Sequence, residues 1–261
     1  MSRILIVTAT AMEVAPLVAA LDRLGPRGPR IDSYRGHAHD IDILTTGIGM
    51  VATAAWCSRA LAHAPYDIAL NVGVCGSFDP DLGLARVVHV VSDRIAELGA
   101  EDGDGFLTFD ALELPVEAAC VNGAPPASQT LAALPAVRGI TVNTVHGNAG
   151  SIDSVVSRFA PQVESMEGAA FMYACAVPGV PFAQVRAVSN VVARRDRASW
   201  KMAEAIAALG QTMLGVIADL RRSSWRSRRA RTTASCSTPS SIAGSISRAW
   251  NSPCTSRMSK R

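Results

Sequence analysis

The stretch ESMEGAA, residues 164–170, sets two carboxylates and a methionine against small residues, between a strand-like and a helix-like apolar run. A glutamate at such a junction either belongs to the scaffold or reaches a ligand. Successive strand residues point to opposite faces, so Glu164 and Glu167, three apart, are expected to diverge, with Glu164 structural. Arg186 lies inside the apolar run FAQVRAVS. A guanidinium buried in a sheet is costly unless it is paired, so it requires a carboxylate partner, and Glu167 is the candidate. Asn190 closes the same run, where an Asx turn or helix cap is its plain role. Glu13 follows the first apolar run, RILIVTA, by a few residues. A solvated first-turn glutamate favoured by the helix dipole is the plain alternative to chemistry there. His146 is expected to pack rather than react.

A second group of residues surrounds a turn. TTGIGMVA contains Gly47-x-Gly49-x-x-Ala52 between a strand-like and a helix-like segment, close to a dinucleotide fingerprint. It does not lie in the opening βα unit, and the next acid, Asp67, precedes its strand instead of ending it. A tight turn that sets backbone N–H groups beside some other ligand fits better. Of the six cysteines, Cys57, Cys75, Cys120 and Cys175 sit in apolar or small-residue surroundings, with no CxxC pair and no metal-ligand spacing to histidine. They are expected to be buried thiols. No metal and no organic cofactor is implied.

These residues must be placed by regular elements. Residues 3 to about 220 alternate strand-like runs (RILIVTA, IDSYRG, HDIDILTTG, DIALNVGVCG, LARVVHVVSD, GITVNTVHG, PQVESM, PFAQVRAVSN) with helix-like ones. The helical runs are AMEVAPLVAALDRL, MVATAAWCSRALAHA, SIDSVVSRFA, EGAAFMYACAVPG and WKMAEAIAALGQTMLGVIADLRR. Residues 95–130 form a long irregular excursion rich in Gly, Asp and Pro. The alternation predicts an α/β fold: a three-layer α/β/α sandwich around a central mixed, largely parallel sheet. In such folds ligands bind beyond the carboxyl ends of strands. That rule selects the loops at 8–13, 46–51, 73–78, 147–152, 165–168 and 189–197.

Composition sets the class. Of 261 residues, 49% are hydrophobic and 18% charged, which describes a soluble globular chain with a sizeable core. No unbroken apolar run reaches the roughly 20 residues of a bilayer span, so no membrane partner is expected. The N-terminus lacks a signal peptide's apolar region, and a cytoplasmic location is expected. The net charge of +3 is unevenly spread: residues 223–261 carry +8 with no acid, leaving residues 1–222 at −5. We therefore divide the chain into a catalytic domain, 1–222, and a basic Ser/Arg-rich tail, 223–261. The tail has 12 serines in 39 residues and no apolar periodicity, a composition expected to remain disordered. No nucleic-acid partner is expected.

The segments ATAMEV, TGIGMVATA, NVGVCGSF, VESMEGAA and VRAVSN, in that order and spread over residues 3–220, resemble the nucleoside phosphorylase and nucleosidase superfamily. The likeness is strongest to its hydrolytic branch and, within it, to the futalosine hydrolase family. That resemblance implies a nucleoside phosphorylase-like fold, a small-molecule nucleoside substrate and a homo-oligomer, dimer or larger. It implies removal of hypoxanthine from futalosine in an alternative route to menaquinone; the alternatives are a methylthioadenosine/S-adenosylhomocysteine nucleosidase, a purine nucleoside phosphorylase and a non-catalytic nucleoside-binding protein of the same fold. It further implies that Met166 packs on the ribose while Glu167 accepts from the sugar diol, an acceptor-only group facing two O–H donors. Glu13 falls where nucleosidases hold and activate water, and Arg186 where they carry an arginine near that water and the diol. Glu13, Arg186 and Asn190 form the expected catalytic set; Met166, Glu167, Ser189, Gly76, Met50 and Phe78 form the expected substrate-binding set. Asn190 takes a place where nucleosidases acting on adenine carry aspartate. An amide offers N–H to a purine O6, so a 6-oxopurine is the expected base, and Ser189 is expected to orient the amide. The segment after the first strand carries Glu13 and no phosphate-binding arginine, which favours water over phosphate. The family's stacking aromatic is missing from GNAGSI, leaving Phe78 and Trp200 as substitutes. Arg194, Arg195 and Arg197 are candidates for the benzoate end of futalosine.

Overall fold

The computed structural model describes residues 2–103, 105–109, 111–113 and 119–220. The expected basic tail, 223–261, lies outside the described residues. Chain order runs β1 (Arg3–Thr8), a 3-10 turn (Ala11–Val14), α1 (Ala15–Val18), β2 (Asp22–Gly28), β3 (Ile31–Gly36), β4 (His39–Thr45), α2 (Met50–His63), β5 (Ile68–Ser77), β6 (Val87–Ile95), β7 (Gly99–Asp102) and β8 (Gly105–Thr108). It continues with β9 (Ala119–Val121), α3 (Gln129–Ala132), β10 (Ala136–Thr141), α4 (Ala149–Phe159), β11 (Val163–Ser165), α5 (Gly168–Ala176), β12 (Phe182–Val191), a 3-10 turn (Arg197–Ser199) and α6 (Met202–Asp219).

The central sheet is mixed, in the order β11-β10-β6-β12-β5-β1-β4-β3-β2, with β9 on β6. Five of its pairings, including β1–β4, β1–β5 and β12–β5, are parallel. Parallel strands buried on both faces need near-continuous apolar runs, and β1 and β5 supply them in RILIVT and IALNVGVCGS. β11 also pairs antiparallel with β5 through Val163–Ser77 and Glu164–Gly76, which curls β5, β12, β6, β10 and β11 into a closed ring. One side of the sheet packs Leu17 of α1, Leu131 of α3 and Leu209, Met213, Val216 and Ile217 of α6. The other packs Cys57 and Ala60 of α2 against Phe171, Met172 and Cys175 of α5. These are the expected three layers.

Three local expectations change. The helix expected over AMEVAPLVAALDRL is a 3-10 turn and one turn of α-helix; Asp22–Gly28 instead forms the sheet's edge strand, bulged at Gly25 (φ +122°). Its mostly exposed residues suit an edge better than a core helix. The excursion at 95–130 is not wholly irregular: it holds the β7–β8 ribbon, β9 and the start of α3. Finally, the segment Arg197–Asp219 is long and apolar enough, by length and composition alone, to match a bilayer span. Its α6 residues Ala205, Leu209, Met213 and Val216 are fully buried in the core of this fold.

One buried polar cluster fixes the entry to α5. Asp93 of β6 accepts from Thr141 Oγ1 (2.9 Å) and Gln184 Nε2 (3.1 Å), while Thr141 Oγ1 accepts from the Ala169 amide (2.7 Å). Burial pushes the Asp93 carboxyl up to about 6 against the pull of Thr141, Gln184 and nearby Arg186. A carboxyl raised in the folded state binds its proton more readily there than in the unfolded chain. Its contribution is therefore greatest below the ordinary value of 3.8 and is lost as pH rises through about 6. Relative to wild type, Asp93→Asn is expected to gain about 2 kcal/mol between pH 4 and pH 7. Urea unfolding of both proteins across that range checks it; a stability difference independent of pH overturns it.

Candidate active site

A cavity of about 420 Å3 opens at the carboxyl ends of β1, β5, β11 and β12, the side of an α/β sheet where loops converge on ligands. Its volume lies in the small-molecule range. Of the residues expected to act, Glu13, Met166, Glu167, Ser189, Asn190 and Gly76 line it.

Glu13 is the third residue of the 3-10 turn after β1, and its carboxylate reaches back to the Thr10 amide at 2.9 Å. The plain role is therefore present, but the group is not solvated: Glu13 is 6% exposed. Its Oε2 is surrounded by donors, the Thr10 amide and the hydroxyls of Thr10 (3.0 Å) and Thr8 (3.1 Å). Among the described residues its Oε1 meets only the Val74 amide, at 3.1 Å. Carboxylate oxygens each accept about two hydrogen bonds, so Oε1 keeps a place for water.

Glu167 and Arg186 meet as burial requires. Arg186 is 1% exposed; its Nη1 donates to Glu167 Oε2 at 3.3 Å and its Nη2 to Asn71 Oδ1 at 2.5 Å. Arg186 does not itself line the cavity. It stands behind Glu167, so it acts on a ligand through that carboxylate. Glu167 Oε1 accepts from the Gly49 amide at 3.1 Å. Gly49 has φ +100°, a conformation side chains resist, and this turns its N–H toward the carboxylate. The turn in TTGIGMVA thus directs this N–H onto a protein anion. Each Glu167 oxygen keeps one accepting position for a diol. Gly73 brings the two carboxylate sites together: a Cβ there would lie 2.5 Å from Arg186 Nη1 and 2.7 Å from Glu13 Oε1.

Asn190 and Ser189 both line the cavity although they are adjacent in β12. A regular strand sends neighbours to opposite faces. Here the register against β5 shifts between Val188 and Asn190, and this bulge re-aims the strand end. Asn190 Nδ2 donates to the Val191 carbonyl at 3.0 Å. A carbonyl only accepts, so this contact fixes which way the amide faces. The Ser189 hydroxyl then donates to Asn190 Oδ1 at 2.8 Å, the orienting contact expected of it. One Nδ2 proton stays free to donate.

Two site residues escaped the sequence, Glu164 and His146. Glu164 was expected on the opposite face from Glu167. However, β11 ends at Ser165 and the chain bends through Met166 and Glu167, so strand alternation does not reach across. Glu164 Oε2 contacts His146 Nδ1 at 2.7 Å and Oε1 accepts from the His146 amide at 3.1 Å. The signal was available: a carboxylate in a buried strand needs a partner as much as Arg186 does. Two expected residues fall elsewhere. Met50 opens α2 and borders a separate hollow of about 240 Å3 with Val51, Cys120 and Tyr173. Phe78 lies behind His146, edge-on at 6.0 Å between ring centroids. The other aromatic candidate, Trp200, lines the cavity, and Arg195, also lining it, stacks over Trp200 at 5.4 Å. Cys75 borders the cavity too, but burial pushes its thiol up to about 12, so it is not a thiolate nucleophile.

Charge in the cavity is therefore mainly negative: Glu13, Glu164 and Glu167 against Arg195 and, when protonated, His146. Among the described residues no group of three or more His, Cys, Asp or Glu is arranged to hold a metal ion.

Comparison with known proteins identifies the family and the fold. The sequence signature of the Phosphorylase superfamily matches residues 3–218. The chain is 36% identical over 179 residues to a futalosine hydrolase of Streptomyces coelicolor, covering 64% of this chain and 74% of that one. It is 34% identical over 225 residues to a futalosine hydrolase of Acidothermus cellulolyticus, covering 79% and 89%. The fold superposes on the 5'-methylthioadenosine/S-adenosylhomocysteine nucleosidase of Helicobacter pylori with a TM-score of 0.71 at 18% identity, over 83% of this chain and 98% of that one.

Proposed function

The chain belongs to the Phosphorylase superfamily, and on that premise we propose that it hydrolyses the N-glycosidic bond of futalosine, releasing hypoxanthine and dehypoxanthine futalosine in a route to menaquinone. The observation that carries the hydrolytic reading is Glu13, a buried carboxylate with an open position on Oε1, in a cavity with three carboxylates and one arginine. Such a wall repels phosphate and suits water.

In this reading Glu167 accepts from the ribose diol and Met166 packs on the sugar. Arg186 and the Gly49 amide hold the carboxylate in place. Water on Glu13 attacks the anomeric carbon while the base departs. Positive charge builds on the sugar in that transition state, and Glu13 and Glu167 stabilise it. Asn190, fixed by Ser189 and the Val191 carbonyl, donates its free N–H to O6 of hypoxanthine. Trp200 stacks on the ligand, and Arg195 pairs with the benzoate carboxylate. The reading extends to a homo-oligomer, supported by Val51 and Tyr173, which stay exposed around one apolar hollow. It also extends to the cytoplasm, where free thiols such as Cys57, Cys75 and Cys175 persist.

One assay tests it. The protein is incubated with futalosine, inosine and methylthioadenosine, with and without phosphate, and free base is followed. Hypoxanthine from futalosine without phosphate is expected; adenine release, phosphate dependence or no turnover overturns the reading. Asn190→Asp is expected to lower the preference for 6-oxo over 6-amino nucleosides by about tenfold or more, since it removes the donor to O6. An unchanged ratio of kcat/KM values removes Asn190 from base recognition.

A further inference from the structure

A purine leaves as a neutral base only if a proton reaches it as the glycosidic bond breaks. The cavity as assigned so far supplies none. The Asn190 amide is not an acid. The Ser189 proton is engaged by Asn190, and the Cys75 thiol is pushed up by burial. Arg195 does not release its proton in a protein. Glu13 is committed to water, and Glu167 to Arg186 and the Gly49 amide. The titratable groups left on the wall are His146 and Glu164.

We propose that His146 is the acid that protonates the departing purine, and that Glu164 is the positioning residue that holds its ring for that task. This rests on the nucleosidase reading above. The carboxylate grips His146 twice, at Nδ1 (2.7 Å) and at its own backbone amide (3.1 Å), which fixes the ring relative to the loop that carries it. Phe78 packs edge-on against the same ring. With Nδ1 engaged, Nε2 is the nitrogen left to exchange a proton, and it has no hydrogen bond from the described residues. A histidine whose one nitrogen is held by a carboxylate has its tautomer and orientation set for transfer at the other.

Position points to the base end of the cavity. Gly76 lies between the pair and Asn190: a Cβ on Gly76 would stand 3.3 Å from Asn190 Nδ2 and 3.5 Å from Glu164 Cγ. The side chain assigned to O6 and the carboxylate that holds His146 therefore flank one point of the wall. Burial raises the Glu164 carboxyl, His146 draws it down, and Glu97 beyond it raises it. Arg195 is the cation on this wall, with Glu13 and Glu167 its further carboxylates.

The step balances without a further reactant. The C1′–N9 bond breaks with its electron pair passing to the purine. N7 takes the proton from His146 Nε2, leaving a neutral imidazole beside Glu164. The water oxygen bonds to C1′ and gives its proton by way of Glu13 to solvent, from which His146 is reprotonated.

Two variants of the full chain test this. His146→Asn keeps an amide N–H at the Nδ1 position for Glu164 and removes the Nε2 donor; Glu164→Gln keeps the shape and loosens the grip. Each is assayed for kcat and KM on futalosine across pH and on 4-nitrophenyl β-ribofuranoside, whose leaving group needs no proton. On futalosine, kcat of His146→Asn is expected to fall about 10²–10⁴-fold with KM nearly unchanged, while the nitrophenyl riboside loses far less. The alkaline limb of the wild-type kcat profile is expected to vanish in His146→Asn and to shift in Glu164→Gln. Equal losses on both substrates, a change confined to KM, or an unaltered alkaline limb assigns the pair to structure and overturns the proposal. If Glu164→Gln does not fold, His146→Asn decides the matter alone. A wild-type protein inactive on futalosine but active on another nucleoside would fail the substrate assignment only, and the same comparison is then made on that nucleoside.

Discussion

Glu13→Gln is expected to lower kcat on futalosine by roughly 10³–10⁴-fold, the upper part of the range for a positioned acid or base, with a smaller change in KM. The substitution preserves size and removes the charge. In the proposed reaction it takes away the group that accepts the water's proton and one of two carboxylates facing the positive transition state. The surroundings make it more than an electrostatic change. Donors approach both oxygens, the Thr10 amide at Oε2 and the Val74 amide at Oε1. Backbone amides cannot turn round to accept, so a glutamine leaves one of them facing N–H. A buried unmatched donor costs about 1–3 kcal/mol, and urea unfolding should show a loss of that order. Measuring both separates the two effects. A stability loss with kcat within tenfold of wild type would mean that Glu13 only braces the turn after β1, and the hydrolytic role would have to pass to another group.

Much of this site was legible because burial has strict consequences. Arg186 in an apolar strand demanded an anion, and Glu167 meets it at 3.3 Å. The glycines of TTGIGMVA announced a turn with outward N–H groups, and Gly49 sends one to that same carboxylate. What stayed hidden depends on geometry that no local pattern encodes. Glu164 reaches the cavity because β11 is three residues long and the chain bends after Ser165. The β11–β5 pairing that closes the ring rests on two residue pairs, too few to leave a periodic trace. Ser189 and Asn190 share the cavity through a bulge, where strand alternation predicts the opposite. Met50 follows a functional glycine, yet as the first residue of α2 its side chain borders the hollow shared with α5. Sequence neighbourhood located a turn beside the cavity, which Ile48 lines and Met50 does not.

Arg186→Met is expected to destabilise the protein by about 3–5 kcal/mol at pH 7, the range for breaking a buried pair from one side. Arg186 is among the largest fully buried side chains, so its stem fills core volume that methionine largely replaces. The loss comes from the polar partners. Glu167 keeps only the Gly49 amide, Asn71 Oδ1 loses its guanidinium donor, and the Val74 carbonyl loses a contact at 3.4 Å. Asp93 also loses the cation that holds its carboxyl down, so burial pushes that group higher than in wild type. A carboxyl raised further in the folded state favours folding at low pH, so the deficit of Arg186→Met should shrink from pH 7 to pH 5. Denaturant unfolding at both pH values checks the sign; a deficit below 1 kcal/mol, or one that grows on acidification, overturns it. Adding Glu167→Gln separates structure from function. Removing the orphaned charge should restore part of the stability lost in Arg186→Met, while the ribose diol loses its ionised acceptor. A double variant more stable than Arg186→Met yet without futalosine hydrolysis is the expected result. It follows from a carboxylate that needs Arg186 in order to be buried and that, in the proposed reaction, holds the sugar.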